Sequence, residues 1–345
     1  MYPGSEPATI PGASSSSRLC KCHRFCYISG THKDKEAYVA QKKSFEPRRG
    51  LGRTGFVATQ LGIGDVADRK IPFDQCVATV RRALDAGLNV VDTAPGYEDG
   101  YSEQIVGAAV KGCRDGIFVV DKVDHPMKPV AAQVDASLER LGVDFTDAFL
   151  LHGVSQLDVW QSCAAPGGAM DQLADCVKAG RTRFRGISSH SADVLKAAIE
   201  SGLCDILMFP VSAYADRRYV AEILPLAKKK GIGVIGFKCF GAGKLLGDTV
   251  GYNQPLARRP RGKVSSGGTE GDPALPHMSV EECLHYTLTY DPDVALLGMS
   301  FPNEQDAAFA AARAFRRLPL QKLAAIEAKA LEAIRGKGDI WWGKP

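Results

Sequence analysis

The chain has 345 residues, 45% hydrophobic and 24% charged, with a formal charge of +4; that is the profile of a soluble globular protein long enough for one large domain or two medium ones. Residues 1–50 carry nine Lys/Arg against four Asp/Glu, and residues 51–345 carry 34 against 35, so the body lacks the basic footprint of a nucleic-acid binder. No apolar run reaches the roughly 18 residues of a membrane helix, and the start lacks the apolar core of a secretory signal; the reading is cytoplasmic, with no membrane and no nucleic-acid partner.

Residues 1–46 combine a Ser run (14–17), early Pro and Gly, and CKCHRFC, without apolar periodicity. Such a segment buries too little surface to offset its ordering entropy, so a mostly disordered leader is expected. Cys20, Cys22, His23 and Cys26 fit no common zinc spacing and no second ligand pair follows nearby, so no metal is expected there; an organelle-targeting leader or an over-called start codon fits better. Cys76, Cys113, Cys163, Cys176, Cys204, Cys239 and Cys283 stand singly in apolar or helical contexts, as buried thiols of a reduced protein do.

From residue 50 short apolar runs alternate with helical periods. The runs are ATQLGIG (58–64), LNVVDT (88–93), IFVVDKV (117–123), DAFLLHG (147–153), FRGISS (184–189), CDILMFP (204–210), GVIGFK (233–238) and VALLGMS (294–300). Phe73, Val77, Val80 and Leu84 predict a helix ending before Gly87, and Val130, Val134, Leu138 and Leu141 one ending before Gly142. Leu320, Leu323, Ile326, Leu331 and Ile334 predict an extra C-terminal helix at about 319–335. Eight strands each followed by a helix predict an α/β fold closed as a (β/α)8 TIM barrel, spanning residues 47–340 with an N-terminal β-hairpin and a long loop at 246–278 after strand seven. That loop is either a lid or a plain surface insertion.

Two motif matches fail in context. Gly231-Ile-Gly233-Val-Ile-Gly236 satisfies G-x-G-x-x-G but runs into a strand, and GAGKLL (241–246) lacks both the first Gly and the Ser/Thr of a Walker A loop.

Polar residues at the C-terminal ends of barrel strands face the site built by the βα loops. Asp92, Lys122 and His152 stand there at thirty-residue intervals, about one βα unit each, and Tyr97 lies on the loop after Asp92. Taken singly, each has a plain alternative: a helix cap, a snorkelling lysine, a satisfied core histidine. Taken together they form a proton-transfer set. An ammonium beside a phenol lowers its proton affinity, a carboxylate keeps a buried lysine charged, and a neutral His152 would donate a hydrogen bond to a carbonyl. Ser102 is expected to cap the helix after this turn, with Tyr101 a bystander.

These stretches resemble the aldo-keto reductase family over roughly residues 50–315. The matching segments are LGRTGF (51–56), GLNVVDTAPGYEDGYSE (87–103), DKV (121–123), SLERLGVDFTDAFLLHG (137–153), GISSH (186–190) and GVIGFKCFGAGKL (233–245). The resemblance implies catalytic roles for Asp92, Tyr97, Lys122 and His152. It also implies NAD(P)(H)-dependent interconversion of a carbonyl (aldehyde, ketone or sugar) and an alcohol. A small-molecule substrate is the expected partner; the oligomeric state is not written in the sequence. The same fold also serves a second reading, a non-catalytic NAD(P)H-binding regulatory subunit. An iron–sulfur branch of the family is disfavoured, since no clustered cysteines lie in the C-terminal region.

For the cofactor the resemblance implies Ser188 and Ser189 at the nicotinamide carboxamide, Met208 where a Gln is usual, and Phe237 stacked on the ring. Lys238, Gly241, Gly243 and Lys244 follow strand seven, where barrel enzymes hold phosphate. After strand eight, Gly298 and Glu304 occupy positions that carry Lys and Arg in NADP-specific relatives. A 2′-phosphate needs positive partners, so NAD is the expected preference, with RRPRGK (258–263) a counterweight. Trp160, Tyr214, Trp341 and Trp342 either line the pocket or pack.

Overall fold

The computed structural model describes residues 45–246, 276–337, 340 and 342; the expectations for CKCHRFC, residues 1–44, Trp341 and the loop residues 247–275 lie outside them. The described body begins slightly before residue 47, because the Phe45 ring packs edge-on against Phe309 at 5.3 Å.

The apolar runs form strands buried on both faces, as parallel sheets require. Eight of them, β3 (Leu61–Ile63), β4 (Val90–Asp92), β5 (Phe118–Val123), β6 (Thr146–Leu151), β7 (Thr182–Ser188), β8 (Ile206–Pro210), β9 (Gly233–Phe237) and β10 (Val294–Leu297), pair in parallel and close into a barrel in the order β10-β3-β4-β5-β6-β7-β8-β9. The run at 58–64 is two strands, not one. Its first part is β2 (Val57–Thr59), which pairs antiparallel with β1 (Arg48–Gly50) as the expected hairpin. Gln60 divides the two: its amide N–H donates to Pro47 O at 2.8 Å and its side chain donates to Asp291 Oδ1 at 2.8 Å.

Alternation along each strand sorts the core into two layers. Val90, Phe118, Val120, Ala148, Leu150, Ile206, Met208, Ile235, Val294 and Leu296 fill the barrel interior, whereas Val91, Val119, Phe149, Ile187, Leu207 and Val234 face the helices. The hairpin closes the N-terminal end, where Leu51, Phe56 and Ala58 join the interior layer and Phe56 meets Phe118 at 5.1 Å. Only glycine fits at position 52, whose φ is +48° and whose Cβ would lie 2.2 Å from Gly233 N. With that end filled by apolar groups, the polar strand ends gather at the other.

The helices include α1 (Phe73–Asp85), α2 (Tyr101–Val110), α3 (Val130–Leu141), α4 (Leu157–Ala164), α5 (Ala169–Lys178), α6 (Ala192–Ser201), α7 (Leu224–Lys229), α8 (Val280–Tyr290), α9 (Pro302–Ala314) and α10 (Leu320–Ala333). Gly87 and Gly142 follow α1 and α3 with φ of 100° and 63°, as the glycine signals predict. Two local expectations change. Ser102 is not the cap of α2: the chain enters through Glu98, Asp99 and Gly100, all at positive φ, Gly100 is the N-cap, and the Ser102 hydroxyl accepts from Thr93 Oγ1 at 2.9 Å. In α10 the buried stripe is Leu323, Ile326, Ala330 and Ala333, while Leu320 and Leu331 are exposed; the two leucines sit about a third of a turn from the stripe's centre at about 100° per residue. Among the described residues no helix is long and apolar enough to cross a membrane.

The segment after α10 ties down the stems of the long connection. Lys337 Nζ donates to Lys244 O at 2.8 Å and to Pro276 O at 3.0 Å, and Trp342 Nε1 donates to Tyr214 O at 2.9 Å. Trp160 is buried in the outer layer.

Candidate active site

Asp92 ends β4 and Lys122 stands one residue before the end of β5, both 2% exposed. Backbone register sets Asp92 opposite Val120 and Lys122 opposite Leu150, so the thirty-residue interval gives a stagger in place of a level row. The long lysine reaches back: Nζ donates to Asp92 Oδ1 at 2.6 Å and to Thr93 O at 2.7 Å. It also lies 4.8 Å from the centre of the Tyr97 ring, close enough to act on that phenol through its charge. Two acceptors thus take two of the ammonium's three protons, and the Tyr97 ring lies beside it.

Burial alone would push Lys122 toward its neutral form, but the Asp92 carboxylate and the Tyr97 oxygen outweigh it and hold the ammonium above its ordinary proton affinity. Burial pushes Tyr97 up to about 12, against the lowering effect of Lys122. The expectation that the ammonium would lower Tyr97 is therefore right in sign for the pair and wrong for the total, because desolvation of a phenolate is the larger effect here.

His152 follows β6, with its ring edge-on to Tyr97 at 5.6 Å. Its Nδ1 lies 2.5 Å from Asp124 Oδ1. Asp124 is held below the ordinary carboxylate range: burial raises it, but the hydrogen bond and charge of His152 and the Gly96 backbone N–H prevail. An ionised Asp124 accepts from Nδ1–H. A neutral His152 in that tautomer presents a lone pair at Nε2, so it donates from Nε2 only as the imidazolium. That differs from the expected neutral donor, and Asp124 is the cause.

The remaining expected residues fall around the same mouth. Ser188 is buried at the end of β7, where its hydroxyl accepts from Gly153 N at 2.8 Å and keeps its own proton to donate. Ser189 is also buried, with its hydroxyl accepting from Ser191 N at 3.1 Å and donating to Ser191 O at 3.4 Å. Met208 is part of the barrel interior, and the half-buried Phe237 packs against it. Gly241, Ala242 and Gly243 all have positive φ; the Gly241 N–H donates to Lys238 O at 2.7 Å and the Gly243 N–H to Phe240 O at 3.0 Å, which engages these two amides in the turn itself. Lys244 is buried. Glu304, in the first turn of α9, accepts from Ser300 N at 2.6 Å and Phe301 N at 3.2 Å.

Residues 58–330 match the Aldo/keto reductase family. The chain belongs to the aldo/keto reductase family. It is 29% identical over 230 residues to the NADH-specific methylglyoxal reductase of Escherichia coli (strain K12), spanning 57% of this chain and 68% of that protein. It is 28% identical over 295 residues to aldo-keto reductase YhdN of Bacillus subtilis (strain 168), spanning 74% and 86%. The holo form of aldo-keto reductase AKR11C1 from Bacillus halodurans superposes with a TM-score of 0.61 at 26% identity, covering 82% of this chain and 95% of that one.

As an aldo/keto reductase, the chain is an NAD(P)-dependent oxidoreductase. Two residues at the mouth of this aldo/keto reductase escape a motif reading. Asp124 bridges the Tyr97 turn and His152, and its signal in the sequence was a second carboxylate two positions after Lys122. His190 packs edge-on against Phe237 at 5.2 Å; its signal was the inward phase of β7, which runs through Phe184, Gly186 and Ser188.

Proposed function

We propose that this mouth interconverts an aldehyde, ketone or sugar carbonyl with its alcohol, with Tyr97 as general acid and base and with NAD(H) preferred over NADP(H). The observation that carries the reading is the Lys122 ammonium, buried, bound to Asp92 and the Thr93 carbonyl, and 4.8 Å from the centre of the Tyr97 ring. A structural lysine gains nothing from such a place; a buried charge is retained where it stabilises another charge. When an alkoxide forms above Tyr97, the phenol gives up its proton and the ammonium stabilises the resulting phenolate.

The donor set fits a nicotinamide cofactor. The half-buried Phe237 ring offers a flat apolar surface, Ser188 has a proton left to donate, and Lys238 lies beside Phe237 with its Nζ 6.0 Å from the ring centre. Bound there, the nicotinamide would supply the hydride to the carbonyl carbon. Tyr97, pushed up to about 12 by burial, remains protonated across the neutral range and so is ready as an acid for reduction. His152 flanks it, held by Asp124, and as the imidazolium it would donate from Nε2 to the carbonyl oxygen.

Glu304 supports the NAD preference. Its carboxylate already accepts from the amides at the start of α9, the place where a helix N-terminus would otherwise draw an anion, and a 2′-phosphate would meet like charge. The name of the Escherichia coli relative, an NADH-specific methylglyoxal reductase, agrees with that preference and with small carbonyl substrates.

The test is consumption of NADH and NADPH with a carbonyl panel that includes methylglyoxal, and of NAD+ and NADP+ with alcohols and aldoses. Tyr97→Phe is expected to lower kcat by roughly 10²–10⁴-fold while NADH binding is kept. Unchanged turnover would remove Tyr97 from its role, and equal kcat/KM with NADPH and NADH would remove the NAD preference.

A further inference from the structure

The side of the mouth next to Phe237 has an excess of engaged polar groups and one that is not. Ser189 falls in the outward phase of β7, together with Ile187, and its hydroxyl both donates to and accepts from the Ser191 backbone. Met208 is buried in the barrel interior and brings only a thioether, which donates nothing. Ser188 points inward and accepts from Gly153 N, which leaves its O–H to donate. His190, two residues further in the same phase, is different: its Nε2 is buried and has no hydrogen-bond partner among the described residues.

The ring is held where it stands. The His190 backbone N–H donates to Ser155 Oγ at 2.9 Å, and the imidazole meets the Phe237 ring edge-on at 5.2 Å. Burial, the Lys238 ammonium and His152 together push its proton affinity down to about 4, so at neutral pH the ring carries one N–H and one lone pair. A buried nitrogen left without a partner is expensive and calls for a specific explanation, and this one lies beside the aromatic face of Phe237. A flat amide is the group that would fit one O–H donor and one nitrogen lone pair beside an aromatic face.

We propose that His190 binds the cofactor: its Nε2 accepts from the carboxamide NH2 of the nicotinamide while the Ser188 hydroxyl donates to the carboxamide oxygen. This assignment rests on the NAD(P)(H) reading given above. It gives the carboxamide to the inward pair Ser188 and His190, and leaves Ser189 and Met208 as packing groups.

The test measures binding without turnover. The chain, His190→Phe and His190→Gln are titrated with NADH, NAD+, ADP-ribose and 3-acetylpyridine adenine dinucleotide, in which a methyl ketone replaces the amide. His190→Phe is expected to weaken NADH and NAD+ about tenfold while ADP-ribose, which has no nicotinamide, changes less than about twofold. His190→Gln keeps an acceptor and recovers most of the loss. The acetylpyridine analogue, with no NH2 to donate, should bind the unsubstituted chain more weakly than NAD+ does, and that difference should shrink in His190→Phe. The proposal is overturned if His190→Phe binds NADH as the unsubstituted chain does, including the case where only the KM for the carbonyl rises. It is also overturned if ADP-ribose is weakened equally. Failure of the unsubstituted chain to bind NADH or NADPH would instead overturn the reading on which the proposal rests.

Discussion

At the residue scale the site is an arrangement of donors, and Asp124 is the residue that couples its two halves. It accepts from Nδ1 of His152 at 2.5 Å, and its other oxygen lies against Gly96, the residue before Tyr97, whose backbone N–H helps to keep it ionised. The turn must be tight for this to occur: a Cβ on Gly96 would lie 2.6 Å from Asp124 Oδ2. Asp124 touches no reacting atom, so it acts as a positioning residue. Asp124→Asn keeps one oxygen but loses the charge and the second acceptor. We expect kcat/KM for a carbonyl to fall about 10–100-fold through misplacement of both Tyr97 and His152, with NADH affinity unchanged and with partial rescue by Asp124→Glu. Steady-state kinetics beside a fluorescence titration separate the two effects, and a parallel loss of NADH affinity would point to general loosening. Asp92, Lys122, His152 and Tyr97 were legible in the sequence because strand ends announce themselves as polar residues after apolar runs. Asp124 was not, because its role depends on which loop folds over it. His190 was half legible, since the period of β7 gives its direction but not its neighbour Phe237.

At the scale of elements, the same strand that offers Lys122 inward carries Asp121 outward, under the helices. Asp121 is fully buried; one carboxyl oxygen accepts from Lys122 N at 2.7 Å and the other has no partner among the described residues. Burial, and then the nearby Glu103 carboxylate, which is held by Arg140 from α3, push it well above its usual value near 3.8. A carboxyl raised in the folded state contributes stability that is fully present below its unfolded value and is lost as the pH rises from there through the folded value. Asp121→Asn cannot ionise and should therefore be more stable than the unsubstituted chain at pH 8, by about 1–3 kcal/mol, with the difference shrinking toward pH 4. Thermal melts from pH 4 to 8 check this; a difference constant with pH would mean that the residue does not titrate in that window. A second element-scale prediction concerns the start of α9. Glu304→Gln keeps an oxygen for the amides of Ser300 and Phe301 but removes the like charge, so the kcat/KM ratio of NADPH to NADH should rise about tenfold or more. No change in that ratio would show that Glu304 does not face the ribose. Elements were legible where one period dominates, as in α1 and α3. They were misread at Ser102, where three residues with positive φ displace the cap, and in α10, where small alanines replace leucines on the buried face.

At the scale of the whole molecule, the eight apolar runs and their spacing sufficed for the barrel, since a chain with that many βα units has few other ways to cover every strand on both faces. The pattern does not reveal how Lys337 and Trp342 hold the described stems of the connection after β9. Lys337 is a fully buried cation between two carbonyls, Lys244 O at the start of the long connection and Pro276 O at its return. A few residues on, Trp342 packs fully buried within 3.5 Å of where a Gly241 Cβ would be, with its indole N–H on Tyr214 O. Both contacts converge on the turn that carries Gly241, Gly243 and Lys244, the expected phosphate-binding segment, and no sequence period links position 337 to position 244. Lys337→Met preserves the apolar stem of the side chain but takes the Lys337 donor away from a buried carbonyl, Lys244 O, and a part-buried one, Pro276 O, a loss of about 1–3 kcal/mol. If this segment grips the cofactor phosphates, the same change should weaken ADP-ribose and NADH by the same factor, because both share the pyrophosphate and the fault lies in the loop that would hold it. His190→Phe should instead weaken NADH alone. Measured side by side, a Lys337→Met chain that melts early yet binds ADP-ribose normally would separate the tail's structural role from the cofactor site. Equal weakening of both ligands would join them.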